Sequence, residues 1–260
     1  MTSDRFRSVL LVLAGFLVLW EAGVWLAQPP NYLLPPPSRI FEELASDPLW
    51  YAKHAVFTVG TCIAGFALAC LLGVLSAIAI VYSRILEHTL YTLLVALNSI
   101  PKIALAPLFI IWMGTGVSSK IAVSMTIAIF AVVIDTVLGL RSVDPDALDM
   151  AQSMRASPLQ TLLKVRFPAA MPSMFAGMKV AISLALVGAI AGEFVSSEEG
   201  LGYVILVSEG NFKTERVFAA IFLLGALGTL LFYLMDTVER WTIPWHVSHR
   251  STTISTVERG

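Results

Sequence analysis

The chain has 260 residues, of which 57% are hydrophobic and 13% are charged. Water-soluble domains carry about 25% charged residues, so this composition excludes an ordinary soluble domain and favours an integral membrane protein. The formal net charge of −1 gives no reason to expect nucleic-acid binding.

Six apolar stretches are candidates for membrane-spanning helices, because a bilayer core about 30 Å thick needs roughly 20 apolar residues in helical conformation. They cover residues 8–27, 55–81, 89–113, 121–140, 174–195 and 217–238. The first is interpreted as a retained helix rather than a signal peptide, since its apolar residues run on to Ala27 and no clean cleavage site follows. The third contains Pro101, Lys102 and Pro107, which indicate a broken helix.

The positions of the basic residues indicate the topology. With the N-terminus in the cytoplasm, most of the 17 Lys and Arg residues lie on the cytoplasmic side, as the positive-inside bias requires. We therefore expect both termini in the cytoplasm. The spans and the polar end of the chain divide it into three regions: an N-terminal helix with an outer Pro-rich loop (1–54), a core of spans with a cytoplasmic loop at 141–173 (55–240), and a polar cytoplasmic tail (241–260). In the outer loop, residues 38–44 are predicted to form a short helix with Ser38 as its N-cap.

Small residues recur every four positions in two of the predicted spans. They are Gly65, Ala69, Gly73 and Ala77 in the second span, and Gly177, Ala181, Ala185 and Ala189 in the fifth. Small residues at this spacing let helix backbones approach closely in lipid. We therefore expect both faces to contact protein, either within the chain or at an interface with another subunit.

The loop between the fourth and fifth spans is long for a helix connection and is patterned. Residues 147–154 and 157–165 are predicted to form two short helices. Ser157 is expected to cap the second helix, with Pro158 at its first position. Pro168 is expected to end this element.

An apolar stripe runs along the second short helix, at Leu159, Leu162, Leu163 and Phe167. Two short amphipathic helices that protrude into the cytoplasm suit docking into a groove of a soluble partner. The alternative is a loop that lies flat on the membrane surface.

The same loop resembles the EAA signature of binding-protein-dependent ABC permeases. That signature reads Glu-Ala-Ala, three residues, Gly, nine residues, then Ile-x-Leu-Pro. The matching run here is Asp149-Met150-Ala151, three residues, Arg155, nine residues, then Val165-Arg166-Phe167-Pro168. Two departures are notable: Arg155 stands at the Gly position, and Met150 replaces an Ala that would face the partner. If the turn requires a positive φ, Arg155 is strained there by about 1 kcal/mol.

Further segments resemble the nitrate, sulfonate and taurine branch of these permeases. They are LPPPSRIFEEL, SIPKIALAPLFIIWMGTG, GLRSVDPDAL, FPAAMPSMFAGMKVA and GEFVSSEEGLGYVI, and the resemblance covers roughly residues 33–240. It implies an all-α integral membrane protein with about six transmembrane helices, the type I ABC importer permease fold, in the bacterial cytoplasmic membrane. It also implies a set of ATPase-coupling residues: Asp149, Met150, Ala151, Arg155, Ser157, Leu159, Val165, Phe167 and Pro168.

Partners are implied by the same resemblance. The chain has no G-x-x-x-x-G-K-[ST] phosphate loop, so ATP and Mg²⁺ are expected on separate ABC ATPase subunits, and this chain is expected to be neither an enzyme nor a carrier of its own cofactor or metal. A second permease chain, identical or different, and a periplasmic or lipid-anchored binding protein are also expected. The implied solute is a small anion such as a sulfonate, taurine or nitrate. A vitamin precursor or an aromatic acid is the alternative within this class, and a membrane-embedded enzyme and a standalone carrier or channel are the rivals of other classes.

Polar residues within the predicted spans are candidates for a substrate path, since such residues are costly in lipid. We predict a path at Asn98, Ser99, Lys102 and Glu193. Lys102 is alternatively an anchor that reaches the outer interface. Glu193 is expected either to pair with Lys102 or to reach that interface. Asp135 and Glu21 are expected to be structural, Asp135 through a hydrogen bond.

Overall fold

A computed structural model of the chain describes residues 3–30, 33–87, 89, 96 and 100–245, and every regular element among them is helical. The helices are α1 (Ser3–Ala27), α2 (Pro37–Ser46), α3 (Pro48–Tyr82), α4 (Ala106–Met113), α5 (Val117–Arg141), α6 (Pro145–Ser153), α7 (Pro158–Thr161), α8 (Phe167–Val195), α9 (Leu201–Gly210) and α10 (Thr214–Thr242). A three-residue helical turn (Arg84–Leu86) follows α3, a 3₁₀ turn (Lys102–Leu105) precedes α4, and a π-helical turn (Leu162–Arg166) joins α7 to α8.

Four helical segments among the described residues are long and apolar enough to cross a membrane. They are Pro48–Tyr82, Val117–Arg141, Pro158–Val195 and Thr214–Thr242. These segments contain the second, fourth, fifth and sixth predicted spans, and α1 contains the first. Residues 90–95 and 97–99 of the third predicted span lie outside the described residues. Its described end is interrupted at Pro101, which is extended, so the predicted break is confirmed.

Helix α9 is an element that the hydropathy pattern missed. Its ten residues are mostly apolar but too few to span a bilayer. Its N-terminus is capped from α3: the Gly200 N–H donates to Nδ1 of His54 at 3.0 Å, and the Leu201 N–H donates to Oγ1 of Thr58 at 2.8 Å. Gly200 has a φ of 105°, which favours glycine at this turn. The cap consists of side chains more than a hundred residues away, which local sequence patterns do not reveal.

The chain divides into two compact units, of which the first comprises Met1–Thr58 and Ser197–Ala226. In this unit the predicted capping role of Ser38 is wrong. Helix α2 begins at Pro37, and Ser38 instead donates its N–H and its hydroxyl to the carboxylate of Glu21, at 3.0 and 2.8 Å. A first-turn N–H has no partner within its own helix, and a carboxylate there is favourable. The structural role expected for Glu21 is confirmed.

The second unit comprises Val59–Ser196 and Leu227–Gly260, and α5 lies between the two stripes of small residues. A Cβ on Gly73 would lie 2.9 Å from Val132, and a Cβ on Gly188 would lie 2.6 Å from Cα of Ser124. The Ser124 hydroxyl donates to the Ala185 carbonyl at 2.8 Å. The stripes therefore serve packing within the chain.

A cluster of charged side chains joins α8 to α10 within the second unit. The Lys179 ammonium donates to Asp236 at 2.6 Å and also pairs with Glu239. Arg240 pairs with the other oxygen of Asp236 at 2.8 Å. Lys179, Asp236 and Glu239 are 18%, 21% and 12% exposed, so this ion cluster is largely withdrawn from solvent.

Candidate coupling segment and translocation pathway

Local sequence rules build the segment that contains the predicted coupling residues. Asp144 caps α6 by accepting the Asp146 N–H at 2.9 Å. Ser157 caps α7, and Gln160 completes a capping box by accepting the Ser157 N–H at 2.9 Å. The predicted pair of short helices and the cap at Ser157 are therefore confirmed. We call residues 144–168 the coupling segment.

The turn between α6 and α7 is strained at Arg155. Its φ is 54°, which favours glycine over a residue with a side chain. The turn is closed by two backbone hydrogen bonds, from the Arg155 N–H to Gln152 at 2.9 Å and from the Ala156 N–H to Ala151 at 3.0 Å. The positive φ explains why the signature has Gly at this position, and this chain tolerates Arg there at a local cost.

The coupling segment is anchored to the spanning helices by polar and apolar contacts. The Arg166 guanidinium donates to the Leu140 carbonyl at 2.8 Å, and the Tyr82 hydroxyl donates to the Pro158 carbonyl at 3.2 Å. Leu162 is buried against Leu140 in a cluster with Ala170 and Met174. The segment is therefore attached to α3, α5 and α8.

The predicted end of the second short helix at Pro168 is wrong. Helix α7 continues through the π-helical turn into α8, and together they form one helical run from Pro158 to Val195. Pro168 lies in the first turn of α8, where its missing N–H costs little. Pro172 lies inside α8. A widened turn is one known way for a helix to pass a proline without stopping.

The apolar stripe of the second short helix is divided between two faces. Leu162 is buried and Phe167 is partly buried, whereas Leu159 and Leu163 are 63% and 57% exposed. On α6, Met150 and Met154 are 63% and 75% exposed. These four are large apolar side chains on a segment whose other exposed residues are mostly polar, and we call them the coupling patch.

The predicted coupling residues fall into two groups in the structure. Asp149, Met150, Arg155, Ser157 and Leu159 are at least partly exposed. Val165, Phe167 and Pro168 are partly buried, and Ala151 is buried at 7% exposure. The side chain of Ala151 is thus covered by the chain itself, beside the turn at Arg155 that its carbonyl helps to close.

The candidate path residues are only partly described. Asn98 and Ser99 lie outside the described residues. The Lys102 ammonium lies 3.9 Å from the centroid of the Phe130 ring. Glu193 is fully buried, so the alternative that places its side chain at the outer interface is wrong. Burial of Glu193 depends on how α8 packs, which its sequence neighbours do not indicate.

Two charged residues differ from what their sequence positions indicate. Lys120, at a predicted outer helix end, is buried and donates to the Thr115 and Gly116 carbonyls at 2.7 and 3.2 Å. Asp135 is partly exposed, and among the described residues it has no hydrogen-bond or ion-pair partner. The structural hydrogen bond expected for Asp135 is therefore wrong.

Comparison with known proteins identifies the family. The family model described as "Binding-protein-dependent transport system inner membrane component" matches residues 69–244. The chain belongs to this family. It is the membrane-spanning permease subunit of an ABC importer, a multi-pass protein of the inner membrane that works with an ATPase and a substrate-binding protein. It is not an enzyme and carries no cofactor, and the interpretations as a membrane-embedded enzyme or a standalone carrier are wrong.

Relatives of known name match most of this permease. The riboflavin transport system permease protein RibX of Chloroflexus aurantiacus is 35% identical over 89% of this chain and 87% of its own length. The formylaminopyrimidine transport permease protein ThiX of Halalkalibacterium halodurans is 34% identical over 88% of this chain and 92% of its own. The taurine permease TauC of Escherichia coli is 28% identical over 90% of this chain and 88% of its own.

A solved importer shows the same fold. A chain of the MetNI methionine ABC transporter, in an inward-facing conformation, superposes with a TM-score of 0.65 at 19% identity, over 74% of this chain and 96% of the other. The type I importer permease fold expected from the coupling-loop signature is therefore confirmed.

Proposed function

We propose that the coupling segment docks on the ATPase and that the coupling patch is the contact surface. The observation that carries this proposal is the exposure of Met150, Met154, Leu159 and Leu163 on a segment whose other exposed residues are mostly polar. Large exposed apolar patches mark interaction sites. Anchoring of the segment to α5 and α8 supports a role in passing ATPase motion to the spanning helices.

The docking proposal is tested by charge substitution within the patch. In the purified complex, Leu159→Asp is expected to reduce ATPase co-purification and solute-stimulated ATP hydrolysis at least ~10-fold, because burial of a carboxylate opposes docking. Leu49→Asp is the matched control, since Leu49 is 82% exposed but lies on α3, outside the segment. Equal retention of the ATPase by both variants would remove the patch from the interface.

We propose that the transported solute is a nitrogen heterocycle of the vitamin-precursor type. The support is the similarity to RibX and ThiX, at 35% and 34% identity, against 28% for TauC. The test is uptake into proteoliposomes that contain the permease, its ATPase and its binding protein, with riboflavin, formylaminopyrimidine and taurine as labelled probes. Uptake of taurine without either heterocycle would contradict this assignment.

A small anion such as a sulfonate, taurine or nitrate is the second candidate, and Lys102 is the observation that favours it. A cation beside a broken helix suits an anionic solute. Lys102→Met is then expected to lower taurine uptake about tenfold with assembly unchanged, the size of one charge-assisted contact. Under the heterocycle assignment the same substitution leaves uptake near the wild-type level, because the ammonium already contacts the Phe130 ring.

We further propose that two copies of this chain pair in the importer, with both termini in the cytoplasm. The basic residues of the sequence support this orientation. We also propose a division of the chain into residues 1–54, a core at 55–240 and a tail at 241–260, which the apolar spans and the polar tail of the sequence support. Protease protection of tags placed at each terminus tests the orientation, and the mass of the purified complex tests the pairing.

A further inference from the structure

We propose that Asp135 contacts the solute in the translocation pathway and accepts a hydrogen bond from an N–H group of the transported heterocycle. This inference rests on the heterocycle assignment given above. Asp135 is a carboxyl group on α5 with no hydrogen-bond or ion-pair partner anywhere in the described part of the chain.

The depth of Asp135 makes an unpaired carboxyl group unusual. Helix α5 spans Val117–Arg141, and Ile129 is its middle residue. At 1.5 Å per residue, Asp135 lies about 9 Å from the middle, within the roughly 15 Å half-thickness of the hydrocarbon core. Acidic side chains at this depth face a cavity or a polar partner rather than lipid. A lipid-facing position for Asp135 is therefore energetically unfavourable.

The packing around Asp135 sets the side chain at the edge of the helix interface. A Cβ on Gly177 of α8 would lie 2.6 Å from Cβ of Asp135 and 2.7 Å from its Oδ2. Glycine at position 177 thus leaves room for the carboxyl group beside α8. The neighbours Ile134 and Leu138 on the outer face of α5 are 43% and 59% exposed. The Asp135 side chain, itself partly exposed, therefore lies beside α8 at the edge of this outer face.

An apolar surface that carries one carboxyl group favours some solutes over others. Small-molecule sites are mostly apolar, with a few polar groups that fix orientation. A carboxylate accepts N–H donors strongly, and it disfavours an anionic solute by charge repulsion. Ring N–H and amino groups are donors of this kind, whereas sulfonate, nitrate and bicarbonate are not. The carboxyl group of Asp135 thus suits a solute with N–H donors, such as a nitrogen heterocycle, better than an anion without them.

The principal experiment is uptake by the complete importer with Asp135→Asn. This change keeps the size of the side chain and removes its charge. Uptake of the transported heterocycle is expected to fall about tenfold, the size of one charge-assisted hydrogen bond, while the ATPase still co-purifies. Glu42→Gln is the matched control, because Glu42 is 74% exposed in a surface pair with Arg39, and it is expected to leave uptake unchanged. Wild-type uptake in the Asn variant would overturn the inference.

A labelling experiment decides the case in which the Asn variant fails to assemble. In a chain with Cys62→Ala and Cys70→Ala, Asp135→Cys is expected to react with a water-soluble thiol reagent, and the heterocycle is expected to slow that reaction. Val132→Cys is the buried control, since Val132 has no exposed surface. Equal lack of reaction at both positions would overturn the inference.

The two proposals fail in different ways. If the wild-type importer transports no heterocycle, the solute assignment fails before any variant is made. If the wild-type importer transports a heterocycle and Asp135→Asn transports it equally well, only the role of Asp135 fails. If the Asp135→Cys variant reacts but the heterocycle gives no protection, the position lines a water-filled space without touching the solute, and the inference is likewise overturned.

Discussion

The ion cluster between α8 and α10 predicts a large loss of stability on Lys179→Met. Methionine preserves most of the side-chain volume but leaves Asp236 and Glu239 facing each other without the ammonium that holds them. Because the two carboxylates are only 21% and 12% exposed, removal of their shared partner is expected to cost about 3–5 kcal/mol, the range measured for broken buried pairs. Arg240 still pairs with Asp236, which favours the lower end of that range.

The chain contains a matched control for this substitution. Lys53 pairs with Glu199 at 2.7 Å, close to the 2.6 Å of Lys179 and Asp236, but the two side chains are 66% and 42% exposed. The Lys53 ammonium lowers the pKa of Glu199, mainly through their hydrogen bond. Water screens an exposed pair and leaves it little net effect on stability. Lys53→Met is therefore expected to be nearly neutral. Because the two ion pairs have similar distances, the difference in stability between the two variants would reflect the burial of the Lys179 pair.

Thermal unfolding of the purified complex measures both variants. A loss of about 3–5 kcal/mol corresponds to a fall in Tm on the order of 10 °C for a chain of this size, and the control is expected to shift far less. Adding Glu239→Gln to Lys179→Met is expected to recover part of the loss, because it removes one uncompensated charge. Equal Tm values for Lys179→Met and Lys53→Met, or no recovery in the double variant, would refute this reasoning.

Three further substitutions follow from the packing. Arg155→Gly is expected to stabilise the coupling segment by about 1 kcal/mol, because φ is 54° there, and slower amide exchange in α6 and α7 measures it. Gly188→Ala is expected to destabilise the chain by about 1–3 kcal/mol in thermal unfolding, since the added Cβ would lie 2.6 Å from Cα of Ser124. Gly60→Ala is its control and is expected to be nearly neutral, because nothing lies within 4 Å of a Cβ there. Thr58→Val is expected to remove the acceptor of the Leu201 N–H and to lower the free energy of unfolding by about 1–3 kcal/mol. Faster exchange of the Leu201 amide measures this loss, and unchanged exchange would argue against the cap.

The coupling segment shows which structural features can be predicted from local sequence patterns. The cap at Ser157 and the pair of short helices depend on residues within a few positions of one another, so they were predictable. The strain at Arg155 was predictable too, once a positive φ was assumed. The burial of Ala151 was not, because it depends on which residues the folded segment brings over that side chain.

The same contrast holds for the membrane-spanning part of the chain. The sequence alone determined the spans, their order and the small-residue faces, because hydropathy and helical spacing act over one helix at a time. Tertiary structure decided the rest: that the small stripes pack on α5, that Glu21 holds Ser38, that Lys120 and Glu193 are buried, and that Asp135 has no described partner. Each of these depends on which distant parts of the chain lie next to the residue after folding. Burial and pairing are properties of the neighbours brought together by folding, and no single segment specifies them.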